Sequence, residues 1–335
     1  MYPSTRMPST LVSPYVHIPK TIHSFSFDTL FIEEPFVLQN VAGFIFKKFL
    51  AFTPSFVVCE EKLAVFIRLV SEHYHPNPFH NFQHAVNVLH MTFKLLHETQ
   101  LLAKLRPAVA FGCLVSALAH DVGHPGHNNA YEVNTYSQHA QTYNDISVLE
   151  NHHCALAYEL LQVSGLLEDL GSDALREFRK ALIACIMGTD MSKHAEFMKE
   201  MEAFDVRVPG FTLDEQCFVA RALVHCADLS NQLKDFDHCY EWTKRLSQEF
   251  YEQTLKEEQQ GLPSLSFMKV NDNLTMSLNE IRFIHHISIP MWTMVKHKFE
   301  HLGFLLDRCL DNLEHWKHIE SQCVHNHNIN TLLHM

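Results

Sequence analysis

At 335 residues, 47% of them hydrophobic, the chain is long enough to bury a large core in one big domain or several tightly packed helical subdomains. A formal charge of −12, from 26 Lys and Arg against 38 Asp and Glu, repels nucleic-acid backbones and anionic membranes, so neither is an expected partner. An anionic small substrate would need local positive charge, which bound divalent metals can supply inside a cleft. The 26 histidines make such metals worth following.

In chain order, residues 1–35 are rich in Ser, Thr, Pro and aromatics without steady periodicity. They read as an extended lead-in, or equally as a linker from domains upstream, regulatory ones included. Residues 36–335 read as one all-helical region, because only 10 Gly and 13 Pro interrupt the whole chain. From Glu60 onward helix follows helix, punctuated by His75-Pro-Asn-Pro-Phe, His124-Pro-Gly-His, Val208-Pro-Gly-Phe and Gly261-Leu-Pro-Ser. The longest nearly apolar run, Pro107 to Ala119, is too short to span a bilayer. The N-terminus has no basic stretch followed by an apolar one, so neither membrane insertion nor secretion is expected. Nine cysteines, scattered singly and with no CxxC pair, fit reduced thiols in a cytoplasmic protein.

Chemistry-bearing residues recur along these helices. His80 and His84 would share a helix face if their segment is helical, as Val88, Met91 and Leu95 suggest. Taken singly, each reads more readily as a satisfied core histidine. The helix Val109–His120 is apolar nearly all round, hence buried, and ends in His120-Asp121-Val-Gly-His124-Pro-Gly. A buried His-Asp pair is costly unless something compensates its charge. Metal does so, since imidazole serves zinc and a carboxylate can bridge two cations. Glu150 and Thr189 offer groups that could orient metal-bound water, although Ser147-Val-Leu-Glu150 reads equally well as a capping box. Thr212-Leu-Asp-Glu215 opens a further helix in the same way. That helix runs to Asp228, which with His84, His120 and Asp121 makes two histidines and two carboxylates, a sensible set for one zinc with Asp121 free to bridge to magnesium.

His80-Asn81 with His84, the His120 motif, Glu150-Asn-His-His, Thr189-Asp-Met-Ser-Lys-His and His225-Cys-Ala-Asp-Leu-Ser-Asn together resemble the catalytic-domain motifs of class I cyclic nucleotide phosphodiesterases, in that family's order. Any one motif is weak, but the ordered set over roughly residues 60–300 is specific. The resemblance implies a compact all-α fold of the His-Asp superfamily and hydrolysis of 3′,5′-cyclic nucleotides to 5′-nucleoside monophosphates. It implies zinc on His84, His120, Asp121 and Asp228, and a second metal, Mg2+ or Mn2+, bridged by Asp121. A hydroxide between the metals would attack phosphorus, with His80 as general acid. His124, Glu150 and Thr189 match residues that hold the second metal's waters. Leu246 and Phe283 match the apolar clamp on the purine, and Asn231 a position beside the base. An amide at Asn231 leans towards cyclic AMP, with cyclic GMP also within reach.

Three positions depart from the family pattern. Phe79 stands where Tyr is general, Gly123 where Asp is common, and Glu280 where a purine-reading Gln normally sits. Ser277-Leu-Asn-Glu280 also fits a capping box, so Glu280 could instead cap a helix. Two other classes compete: a different His-Asp metal phosphohydrolase acting on nucleotides, and a silent sensor that binds cyclic nucleotide without turnover.

Overall fold

The computed structural model describes residues 18–333, with the side chains beyond residue 325 left aside. The described residues form helices joined by short turns, with no strand. Before the first long helix, residues 18–34 carry only the 3-10 turn Lys20–His23, yet Ile22, Phe25, Phe27 and Leu30 are buried, so this segment is a strap laid on the body. The first helices are α1 (Pro35–Phe52), α2 (Glu60–His73), α3 (Phe82–Glu98) and α4 (Pro107–Ala119). Short α5 (Asn129–Asn134) and α6 (Gln138–Tyr143) lead into α7 (Val148–Ser164), α8 (Ser172–Met187) and α9 (His194–Ala203). The second half contains α10 (Leu213–Asp228), α11 (Phe236–Gln260), α12 (Asn273–Phe283), α13 (Ile289–Lys298) and α14 (Gly303–Leu333).

The apolar helix α4 starts with Pro107, whose fixed φ suits a first helical position, and every residue from Ala108 to Ala119 is buried. It packs against α3, α8 and α10, so the core surrounds it on several sides. Gly112 permits the α8 contact, because a Cβ there would stand 3.0 Å from the Phe178 carbonyl oxygen. Helix α10 opens with the capping box expected of Thr212 and Glu215, both reciprocal bonds being present. Helix α11 ends at Gly261, which takes the left-handed conformation at φ 66°.

Three local expectations are corrected. His80 does not lie on a helix with His84: the helix begins at Phe82, and Asn81 caps it by accepting from the His84 amide at 3.1 Å. Ser147 stands at the N-cap of α7 but makes no capping bond: its φ is +42° and its hydroxyl donates to Asp190 at 2.6 Å. Glu280 lies inside α12, whose N-terminus is capped by Asp272 through the Thr275 amide. After Phe283 the chain makes one wide π turn, Ile284–Ser288. Pro290 follows it and has no amide hydrogen to continue the regular ladder.

Candidate metal centre and active site

Four ligand atoms, one each from His84, His120, Asp121 and Asp228, lie within 4.8 Å of one another. They come from the first turn of α3, the turn after α4, and the last residue of α10. His84 Nε2 is 3.0 Å from Asp228 Oδ1 and 3.6 Å from Asp121 Oδ2, while His120 Nε2 is 3.0 Å and 3.2 Å from Asp121 Oδ2 and Asp228 Oδ1. A tetrahedral zinc with ligands about 2.0–2.1 Å away has ligand–ligand edges of about 3.3 Å, which these separations bracket. His120 Nδ1 donates to the Ala117 carbonyl at 3.0 Å, which leaves the Nε2 lone pair facing the carboxylates. That nitrogen is buried and has no hydrogen-bond partner. The donor set therefore fits a zinc-type cation.

Burial disfavours charge on Asp121 and Asp228, but positive charge at the centre outweighs it: a proton on His120, which a cation would replace, holds both carboxyls well below their ordinary range. Position is set by the backbone: Asp121 N donates to the Tyr74 hydroxyl at 3.2 Å, and that hydroxyl donates to the Leu118 carbonyl at 3.1 Å. Asp121 also faces two ways. Its Oδ2 points to His120, while Oδ1 lies 3.8 Å from His153 Nε2. His153 Nδ1 donates to the Val122 carbonyl at 2.9 Å, so its Nε2 is again presented as a lone pair. Asp121, His124 and His153 form a second group whose ligand atoms lie within 4.8 Å. The two groups share Asp121, as a bridging carboxylate would.

His124 behaves differently from His153. Burial and the charge of His80 hold its pKa well below the ordinary value, so it is neutral. The Gly126 amide donates to its Nδ1 at 3.1 Å, which places the remaining proton on Nε2. Such a ring donates and does not ligate through that nitrogen, as expected of a group that holds water. Glu150 accepts from Asn129 Nδ2 at 3.0 Å, and burial, with Asp190 and Asp121 nearby, pushes its pKa up to about 7. Thr189 is buried with its hydroxyl donating back to the Ile186 carbonyl at 2.8 Å. Its nearest fixed partner is thus its own helix end.

His80 stands beside this centre, its ring stacked on His124 with centroids 4.0 Å apart. Its Nδ1 pairs with Glu249 Oε1, and Glu249 Oε2 accepts the backbone amides of Phe79 and His80, both at 3.1 Å. Burial alone would depress the His80 pKa, but the charge and hydrogen bond of Glu249 override it and raise it to about 9. Because Nδ1 faces Glu249, the Nε2 proton is the one available for transfer. Sequence reasoning missed Glu249 and His153. His153 sat in a motif already singled out, whereas Glu249 is one of several glutamates on a polar helix, with no local mark.

The residues expected beside the purine, Asn231, Leu246, Glu280 and Phe283, are all buried or half-buried. Asn231 is buried at the start of a 3-10 turn, and Leu246 packs on Leu30, Phe79 and Trp242. Glu280 is buried one helical turn before the half-buried Phe283, so the two share a face. Gln232 Nε2 donates to Glu280 Oε1 at 3.1 Å. Burial pushes the Glu280 carboxyl up to about 7, although hydrogen bonds from Gln232 and Thr243 partly oppose it. At Gly123, φ is +77° and a Cβ would meet Leu156 Cδ2 at 2.7 Å and His152 Nε2 at 3.0 Å. An Asp here would hold a left-handed backbone and could enter only if the ends of the Leu156 and His152 side chains moved aside.

The sequence profile described as 3′5′-cyclic nucleotide phosphodiesterase matches residues 79–309. The chain belongs to that family. The phosphodiesterase domain of the RhoPDE fusion protein from the choanoflagellate Salpingoeca rosetta superposes with a TM-score of 0.86 at 35% identity, covering 91% of this chain and 97% of that one. The human high affinity cGMP-specific 3′,5′-cyclic phosphodiesterase 9A is 33% identical over 69% of this chain, and the human high affinity cAMP-specific and IBMX-insensitive phosphodiesterase 8A is 30% identical over 81%. The chain spans 39% and 36% of the length of those two relatives. Among the described residues of this family member, no helix is long and apolar enough to cross a membrane.

Proposed function

We propose that this chain hydrolyses 3′,5′-cyclic nucleotides to 5′-nucleoside monophosphates, with His80 as the general acid for the departing 3′ oxygen. The observation that carries this reading is the shared Asp121 between two histidine–carboxylate groups, with the His80–Glu249 pair held against one of them. His84, His120, Asp121 and Asp228 would hold Zn2+, and Asp121 would extend to Mg2+ or Mn2+ with His124, Glu150 and Thr189 around its waters. Cations in these positions would lower the pKa of water and neutralise charge building on the phosphoryl group. The chain's own residues supply the rest: Glu249 keeps His80 protonated and aimed, and neutral His124 holds a proton on Nε2 towards the site.

Phe283 and Leu246 are the apolar walls for the purine in this reading, and Asn231 lies beside it. Cyclic AMP is favoured, because the Asn231 amide can both donate to and accept from an adenine edge. Glu280 takes the place of a purine-reading amide in its protonated form, which a pKa of about 7 keeps accessible near neutral pH: a neutral carboxyl, like an amide, offers a donor and an acceptor. The reaction belongs in the cytoplasm, in keeping with nine free cysteines. Comparing hydrolysis rates of cyclic AMP and cyclic GMP with magnesium supplied tests the whole reading. Absence of turnover on both, with metal bound, would point to the nucleotide-binding alternative.

A further inference from the structure

The strap before α1 is tied to α3, which begins two residues after His80, and to α11, which carries Glu249. On the α3 side, Thr29 Oγ1 donates to the Gln83 carbonyl at 2.7 Å, and Gln83 Nε2 donates back to the carbonyls of Leu30 and Ile32 at 3.1 and 2.8 Å. On the α11 side, both Asp28 carboxylate oxygens accept from Trp242 Nε1 at 3.2 Å. Arg245 joins the two sides, donating to Gln83 Oε1 at 2.7 Å and to the Leu30 carbonyl at 3.2 Å. The Asp28 side chain is 2% exposed and Trp242 is fully buried, so these bonds are made largely away from competing water. Beneath them, Leu30 packs in one cluster with Phe79 and Trp242.

Phe79 immediately precedes His80, and Trp242 lies seven residues, two helical turns, before Glu249 on α11. A shift of the strap would therefore be felt at both ends of the His80–Glu249 contact. Three of the strap's backbone carbonyls, those of Phe27, Leu30 and Ile32, are met by side chains from α3, α11 and the turn between α10 and α11, which satisfies groups that have no ladder of their own and ties the strap to both sides at once.

We propose that the strap residues Asp28, Thr29 and Leu30 are positioning residues for the general acid: they set the spacing between the loop carrying His80 and the helix carrying Glu249. The inference rests on the reading of His80 as general acid. Small displacements matter at such a site, since a shift of about 1 Å can cost about 10²-fold in rate.

The test is a double-mutant cycle on the metal-loaded full chain, with cyclic AMP as substrate and a thermal melt of every variant. Asp28→Ala should lower kcat at least tenfold and move KM less than threefold. In the His80→Asn background the same change should cost nothing further, because the group it positions is gone. Trp242→Phe keeps an aromatic ring but loses the indole N–H and part of the buried ring system, so with its melt read beside its kcat it should repeat the pattern in milder form and serves if Asp28→Ala folds poorly. Equal fractional losses in both backgrounds would overturn the proposal in favour of a general stabilising role. So would unchanged kcat in both strap variants. If His80→Asn alone leaves kcat intact, the general-acid reading falls, and that is seen before any strap variant is made.

Discussion

Glu249 reaches His80 across 169 positions of sequence and meets both its ring nitrogen and its backbone amide, with the Phe79 amide as a third contact. The same carboxylate thus fixes the loop and charges the ring. In Glu249→Gln the amides keep an acceptor, but the negative charge is gone, and burial then pulls the His80 pKa down from about 9 towards or below its ordinary value. A general acid works only while protonated, so the alkaline limb of kcat should move to lower pH in the variant. At pH 8 the expected loss is about ten- to hundredfold. Bound cations lower the limb in both proteins, so the difference between the profiles is the quantity to measure. An unmoved limb would detach Glu249 from proton transfer.

Asp121→Ala and Asp228→Ala each remove a buried carboxylate that faces histidine nitrogens. Both should lose bound zinc, read by metal analysis of the purified protein, and turnover with it. Far-UV circular dichroism should stay helical, because neither residue fills the apolar core. Chelation of the parent protein should lower its melting temperature, as a ligand that binds only the folded state stabilises it by mass action. A chelated protein that melts unchanged, with full metal in either variant, would dissolve the assigned centre.

How much of this was readable beforehand depended on whether the signal was local. The His120-Asp121 pair closes an apolar helix and Asp228 ends another, so helix ends together with the cost of burying charge marked these three as candidate ligands. His80 was singled out but misplaced onto the helix, because a spacing of four residues looks helical whether or not a cap intervenes. Asn81 is that cap. The strap gave no sign of its role: Asp28 and Leu30 sit among residues without periodicity, and their partners Trp242 and Arg245 lie more than 200 positions away. Glu249 was silent for the same reason.

Gly123 yields a prediction about a residue that resists reversion. Introducing the family's common side chain, Gly123→Asp, forces a Cβ against Leu156 and His152 at a backbone φ of +77°. The expected destabilisation is about 1–3 kcal/mol, from overpacking and left-handed strain together. Combining it with His152→Ala removes one of the two close neighbours and should recover part of the loss. Chemical denaturation of the three variants measures this. A Gly123→Asp protein as stable as the parent would mean that the turn can open without cost.

The last prediction concerns Glu280, whose carboxyl is raised from 4.5 to about 7 by burial. The sign for stability follows from the direction of the shift. An acid with a raised folded-state pKa favours the fold while it is protonated, fully so below the unfolded value. That contribution declines as pH rises through about 7. The parent should therefore lose melting temperature relative to Glu280→Gln between pH 5 and pH 8. Binding should follow the same proton. If only the neutral carboxyl can meet both a donor and an acceptor on the purine, KM rises about tenfold per pH unit above the pKa. Glu280→Gln carries a permanent donor and acceptor, so its KM should stay flat and match the parent's only at low pH. Gln232 is the neighbour to watch, since its amide donates to Glu280 while its own Oε1 is buried without a partner. Gln232→Leu removes that donor, which should raise the Glu280 pKa further and carry the rise in KM to higher pH. Measuring KM for cyclic AMP and cyclic GMP from pH 6 to 9 in the three proteins decides the matter. Parallel pH dependence in the parent and Glu280→Gln would show that this carboxyl does not face the base.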